Sequence, residues 1–206
     1  MNVTNRIMYH YHHHQGESLI IAPGQEFTID DSFDSNMGQM VMNHSMRVLN
    51  TGKEVTALSI VRALLKDENY KKLDESDLYE FLRKTGFIFY REEIVIREIG
   101  LEQFREKYCP DKPSRMHSIW LSNKTGMNFW GKIFPERELY SLEVSGNLFK
   151  SSDEFLPDNG LSINDTLKAA ERYWFPDFKS KHDPKKVEYL FQGRARVLTK
   201  IDRENK

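Results

Sequence analysis

The chain predicts a mixed α+β fold in one domain spanning residues 1–206, with a strand-rich body at both ends and a helical insertion or flap over 53–109. Two observations carry this. Segments that alternate apolar and polar residues, the period of a strand, sit at both ends of the chain. Between them, over 53–109, apolar residues recur at three- and four-residue spacing, the period of a helix.

At the first end, Arg6 to Tyr11 reads as a short strand broken by Gly16, and Leu19-Ile20-Ile21 resumes an extended run before a Pro23-Gly24 turn. Residues 30–52 are ambiguous: Met37, Met40, Val41, Val48 and Leu49 suit a helix, while Gly38 weakens it. Val55, Leu58, Val61 and Leu65 mark one helix. A second starts at Asp74 or Ser76, buries Leu78, Tyr79, Phe81 and Leu82, and stops at Gly86. Phe87-Ile88-Phe89-Tyr90 is β-rich, yet Arg91 to Arg105 looks helical, with Leu101, Phe104 and Tyr108 on one stripe. Pro110 and Pro113 close the helical part.

Beyond them the strand period returns. Met116 to Leu121 reads as a strand, Asn123 to Trp130 as a short helix or turn, and Glu138 to Val144 as a strand. A loop with Gly146, Pro157 and Gly160 leads to a helix over Asn164 to Tyr173 that puts Leu167, Ala170 and Trp174 on one side. Val187 to Ile201 is a long strand, or two strands interrupted at Gly193.

Composition narrows the function classes. Charged residues make up 30% of the 206, but net charge is only −1, so no overall electrostatic footprint for nucleic acid or an anionic membrane exists. Cys109 is the single cysteine, which forbids an intrachain disulfide and points to a reducing compartment, with no thiolate zinc site. No apolar run reaches membrane-spanning length, and His10, Tyr11, His12, His13 and His14 interrupt any leader-like apolar stretch, so the expected location is cytoplasmic.

Four segments could carry chemistry. His10, His12 and His14 would share one face of a strand at steps of about 7 Å. A metal site is the minor reading there, because no carboxylate or cysteine at ligand spacing completes it; one histidine as a polar recognition group is favoured, and no metal is expected. In Pro113-Ser114-Arg115-Met116-His117-Ser118-Ile119-Trp120-Leu121, strand alternation puts Ser118 and Trp120 together, a hydroxyl and a flat ring suited to a planar ligand; core packing is the plainer alternative. Ala169 to Trp174 is a helix ending in two aromatics, which ordinarily pack on a sheet. Glu188 stands alone among Val187, Tyr189, Leu190 and Phe191. Turned inward it would need a partner; turned outward it is an edge-strand acid.

Taken in order, Tyr9-His10 on a first strand, the Pro-Ser-Arg lead-in with Ser118, Glu138 to Val144, the helix end at Tyr173-Trp174, and Glu188 shortly before Gly193 resemble the ADP-ribosyltransferase-like superfamily. The similarity is nearest to small uncharacterised bacterial proteins grouped with that fold. It covers residues 113–201 better than 6–22, and leaves 30–109 unmatched. The resemblance implies a split, bent, mainly antiparallel sheet with NAD, as substrate, in its cleft. It implies a triad of His10, Ser118 and Glu188, with His12 an alternative to His10 and Ser114 or His117 alternatives to Ser118. Tyr9, Trp120 or Tyr173 would stack on nicotinamide. An acid two residues before the catalytic one is replaced by Lys186, which disfavours arginine as acceptor. The acceptor itself is unknown. The rival expectation is a non-catalytic interaction module on the same fold, with a homodimer as one form of it.

Overall fold

The computed structural model describes residues 1–12, 19, 21–45, 47–50 and 53–202. In chain order the elements are β1 (Asn2–His12), β2 (Glu26–Ile29), α1 (Asn36–Asn43), β3 (Arg47–Asn50), β4 (Lys53–Thr56), α2 (Ala57–Leu65), α3 (Glu75–Tyr108), β5 (Ile119–Leu121), α4 (Lys124–Ile133), β6 (Glu138–Ser152), α5 (Ile163–Trp174) and β7 (Val187–Ile201). The protein is α+β, and every strand pairing described is antiparallel.

Each α-helix begins where a short polar side chain accepts from the backbone N–H three residues on: Ser35, Thr56, Asp74, Asn123 and Ser162. These caps settle several boundaries. Residues 30–52 resolve into α1 followed by β3, and Val55 falls in β4 rather than in a helix. Leu19 and Ile21 lie outside any strand, and the turn at Pro23-Gly24 is present. Gly86 does not end its helix. With no proline between 75 and 108 the helix continues for 34 residues, because a helical glycine costs only about 1 kcal/mol against alanine and no new nucleation is needed. The same continuity overrides the β preference of Phe87 to Tyr90.

β1, β6, β7 and β2 are neighbours in that order, and β5 pairs with β7 on the same edge as β2, further along. The sheet then curls back on itself: Tyr9 of β1 and Ser122, just past β5, exchange both backbone hydrogen bonds at 2.9 and 2.8 Å. The five strands therefore form one continuous curled sheet where the resemblance implied a split one. β5 is only three residues long. Met116 to Ser118, expected to be strand, is a bend that Ser35 of the α1 cap grips through Met116 O and Arg115 O.

β6 and β7 are continuous where breaks were expected. Gly146 lies inside β6, and Gly193 is its cross-strand partner inside β7. Both have positive φ, 155° and 142°. The two backbones also approach closely: a Cβ on Gly146 would sit 2.4 Å from Gln192 O, and one on Gly193 2.5 Å from Ser145 O. Glycine at both positions lets the paired strands bend together without losing register.

Alternation on β7 separates two cores. Val187, Tyr189 and Phe191 face the inside of the curl with Met8, Leu142 and Leu148. Leu190 faces the other way, onto Leu101 of α3, Phe149, and Tyr173 and Trp174 of α5. The second half of α3 is thus structural: Val95, Glu98, Gly100 and Leu101 are buried, Gly100 is in close contact with Thr166, and Trp174 Nε1 donates to Leu101 O at 2.8 Å. The helical segment is not a detached flap over its whole length. Its first half does project, and Tyr79 and Leu82, expected to be buried, are 68% and 59% exposed.

Gly146→Ala and Gly193→Ala will each lower stability by about 2 kcal/mol or more, from positive-φ strain plus backbone overlap. Urea denaturation of each variant reads this directly. A change within 0.5 kcal/mol of the parent would contradict the close approach.

Candidate functional site

The site is assembled around Glu188. Strand parity turns it to the same side as Leu190, toward α5, and it is 2% exposed. Two other buried side chains, Arg115 and Tyr173, meet it, and a third, Glu98, lies behind Arg115. Arg115, on the bend before β5, donates from Nη1 to Glu188 Oε1 at 2.7 Å. The same nitrogen donates to the Tyr173 hydroxyl, which in turn donates to Glu188 Oε1. On its far side Arg115 donates from Nε to Glu98 Oε2 at 2.6 Å and from Nη2 to Glu98 Oε1 at 3.3 Å. Arg97 closes the chain, donating from Nη2 to Glu98 Oε1 at 2.9 Å. The guanidinium of Arg115 lies over the rings of Trp120 and Tyr173, 4.3 and 4.7 Å from their centroids.

Two carboxylates share one arginine unequally. Burial opposes ionisation of Glu98, but Arg115 and Arg97 outweigh it and hold its carboxyl below the usual range. Burial likewise dominates at Glu188, where one Arg115 N–H and the Tyr173 hydroxyl pull back less, so its carboxyl is pushed above the usual range. Burial also raises the Tyr173 hydroxyl well above its ordinary value, against the pull of Arg115. The hydroxyl therefore remains a donor at neutral pH.

Glu188 also lines a cavity of about 250 Å³. His10 of β1, Ser118 on the bend and Trp120 of β5 line it as well, with Phe33, Trp130 and Phe134 as further aromatic wall. Three buried oxygens on this cavity have no hydrogen-bond partner among the described residues: Glu188 Oε2, Ser118 Oγ and Ser122 Oγ. Leaving such groups unpaired is costly, so they are the atoms most suited to a polar ligand. His10 Nδ1 is 2.9 Å from Trp120 O. Only a protonated nitrogen can meet a carbonyl, so a neutral His10 carries its proton on Nδ1 and its lone pair on Nε2.

The expected triad of His10, Ser118 and Glu188 is therefore brought to one cavity, with Trp120 beside it. The alternatives separate. His12 is buried next to His10, with ring centroids 5.8 Å apart, but stands off the cavity, its ring edge against Tyr140. Ser114 and His117 line a different, polar cleft with Asp31, Arg105 and Lys112. Tyr9 and Tyr173, expected to stack on a ligand ring, do not line the cavity. Tyr9 packs with Tyr11 and Trp130, and Tyr173 is the buried hydroxyl behind Glu188. Lys186 sits in the turn before β7 with its ammonium 3.5 Å from Glu154 Oε1, so it is not paired with Glu188. His14 falls outside the described residues; among those described, no group of three or more His, Cys, Asp or Glu is placed to hold a metal ion. Also among them, no helix is long and apolar enough to cross a membrane.

Sequence reasoning missed Glu98, Arg115 in its ion-pair role, and Ser122. A signal for Glu98 exists in Val95, Glu98 and Leu101: three-residue spacing puts the acid on the buried stripe of its helix. Nothing local distinguishes Arg115 from a surface arginine.

A family model described as a protein of unknown function, DUF2441, matches residues 8–203, which run from β1 to just past β7. The chain belongs to the DUF2441 family. No curated protein matches it.

Arg115→Leu will leave two carboxylates buried without their shared cation and will destabilise the fold by about 3–5 kcal/mol at neutral pH. Without the arginine both glutamates bind protons more readily when folded, so the deficit will shrink as pH falls from 7 toward 5. Thermal denaturation across that range measures it; a deficit independent of pH would refute the shared-cation arrangement.

Proposed function

We propose that this DUF2441 chain is an ADP-ribosyltransferase-like enzyme that binds NAD in the His10–Ser118–Trp120–Glu188 cavity and transfers ADP-ribose to an acceptor. One observation carries the reading: a buried carboxylate oxygen, Glu188 Oε2, faces an aromatic-walled cavity with no partner among the described residues. Such an oxygen favours a cationic group that reaches it dry. The nicotinamide riboside end of NAD supplies one twice over, as a pyridinium ring and then as an oxocarbenium-like sugar. A cavity of about 250 Å³ suits that nucleoside-sized half, with the remainder of the dinucleotide extending outward.

The chemistry follows from this placement. The bond between the ribose C1′ and the pyridinium nitrogen breaks, and nicotinamide leaves with the electron pair. The sugar becomes cationic at C1′, and the Glu188 carboxylate stabilises that charge. An acceptor nucleophile bonds C1′ and gives its proton to solvent, which balances the step. In this reading Ser118 Oγ and His10, which line the cavity, hydrogen-bond the ligand, and Trp120 faces its flat ring. Lys186, engaged with Glu154, supplies no second acid for an arginine acceptor.

A second reading, a self-associating interaction module, rests on the first half of α3. Tyr79, Leu82, Gly86 and Phe89 repeat at three, four and three residues, the spacing of a helix–helix seam, and Tyr79, Leu82, Phe89 and Tyr90 are exposed. Space beyond Gly86 is open, which admits a second copy of the helix. Sedimentation of the parent against Leu82→Glu distinguishes a dimer from a monomer.

Isothermal titration with NAD, paired with a nicotinamide-release assay, tests the enzymatic reading. Glu188→Gln keeps the side-chain shape and will retain NAD affinity within several-fold, while release falls by about 10²–10³-fold, the usual size for loss of one fixed electrostatic stabiliser. Absence of NAD binding by the parent at millimolar ligand would end the proposal.

A further inference from the structure

We infer that Glu98 and Arg115 form a positioning pair for Glu188, holding one of its oxygens so that the other is left to the cavity. The inference rests on the reading of Glu188 as the acid that faces the reacting sugar. It concerns two residues, Glu98 and Arg115, that do not themselves line the cavity.

The geometry fixes the guanidinium on all sides. Nε and Nη2 are committed to the two oxygens of Glu98, at 2.6 and 3.3 Å, and Nη1 to Glu188 Oε1, at 2.7 Å, and to the Tyr173 hydroxyl. Trp120 and Tyr173 cover its plane. Arg115 and Glu98 are each 1% exposed, so water does not compete for these donors. Left to itself, an arginine beside a carboxylate takes both oxygens with two parallel N–H groups. Here Glu98 holds Nε and Nη2 and so sets the orientation of the guanidinium, in which Nη1 alone reaches Glu188. Glu188 Oε2 stays bare for that reason, and Glu188 receives only part of the arginine's charge.

Groups around Glu188 come from several elements. Tyr173 from α5 and Arg115 from the bend touch it, Asp153 after β6 adds a like charge, His10 from β1 shares the cavity wall, and Glu98 from α3 acts through Arg115. Of these, Glu98 is the one whose removal frees the arginine. With Glu98 neutral, the guanidinium can turn onto both oxygens of Glu188. The carboxylate then becomes a better-satisfied, weaker ligand for the sugar cation, and it ionises at lower pH.

Side-chain carboxyl NMR of ¹³C-glutamate protein, with Glu188→Gln identifying the Glu188 signal, follows its titration without NAD. In Glu98→Gln the Glu188 midpoint will move to lower pH, an about tenfold change in its charged-to-protonated ratio at fixed pH. Glu98→Asp, which keeps the charge, will leave it near the parent's. Arg97→Gln changes a partly exposed residue and so tests the pair even if a Glu98 variant does not fold. It leaves Glu98 leaning harder on Arg115, and the Glu188 midpoint will move the opposite way. Nicotinamide release by Glu98→Gln will fall about tenfold or more in kcat with KM changed less. Loss of thermal stability alone, with the Glu188 midpoint unmoved in Glu98→Gln and Arg97→Gln, would overturn the positioning role. A moved midpoint without nicotinamide release from the parent would retain the pair and reject NAD transfer.

Discussion

One arginine shared by two buried glutamates is the constraint on which the site depends. Arg115 joins three parts of the chain that are distant in sequence: α3 through Glu98, α5 through Tyr173, and β7 through Glu188. Removing charges from water costs several kcal/mol per ion, and hydrophobic residues of equal volume often stabilise as well. The cluster is therefore a poor device for stability alone. It is a good device for geometry, because each partner's bonds are directional and water is excluded. Its balance is also local: Glu98 and Glu188 face Arg115, with Arg97 at the rim, so the four charges sum to zero.

The curled sheet is what brings that cluster against a cavity. Closure of β1 onto Ser122 places His10 beside Trp120, whose carbonyl meets the His10 ring at 2.9 Å. The Gly146–Gly193 pair lets β6 and β7 bend together where side chains would collide. Without that bend, β1 and β5, at opposite ends of the strand order, would have no reason to meet. Ser118 owes its place to a different cause. It lies on an irregular bend fastened by the α1 cap, where the backbone is free of a ladder and its hydroxyl can face inward. Regular strand and irregular bend each contribute one wall.

Much of this was legible in the sequence where a period was strong. β7 was readable to its ends, and α5 within a residue, because alternation and an apolar stripe leave little choice. The inward turn of Glu188 was readable only as one of two options, since parity along β7 needs a reference face, which the long-range pairing with β6 supplies. Gly86 and Phe87 to Tyr90 misled because local propensity is worth tenths of a kcal/mol per residue, less than continuing an existing helix gains. The Glu98–Arg115 contact was not readable: it joins residues from two segments whose relative placement is set by α3 packing on α5.

α3 carries two unlike surfaces on one rod, and its anchoring decides how they relate. Its second half is fixed at Val95, at Gly100 against Thr166, and at Leu101, whose carbonyl accepts from Trp174. Glu98 lies within this fixed stretch, so the ion pair is set by packing and not by the projecting arm. The exposed seam of Tyr79, Leu82, Gly86 and Phe89 is at least nine residues away along the helix, roughly 13 Å at 1.5 Å per residue. A partner seated on that seam would reach Glu98 only by rotating the rod against Thr166 and Trp174, which are themselves buried. Close packing resists such rotation, since cores shift between discrete arrangements and do not deform continuously. The two surfaces are thus independent by construction, and a change on the exposed face of the first half leaves the charge on Glu188 where Arg115 holds it.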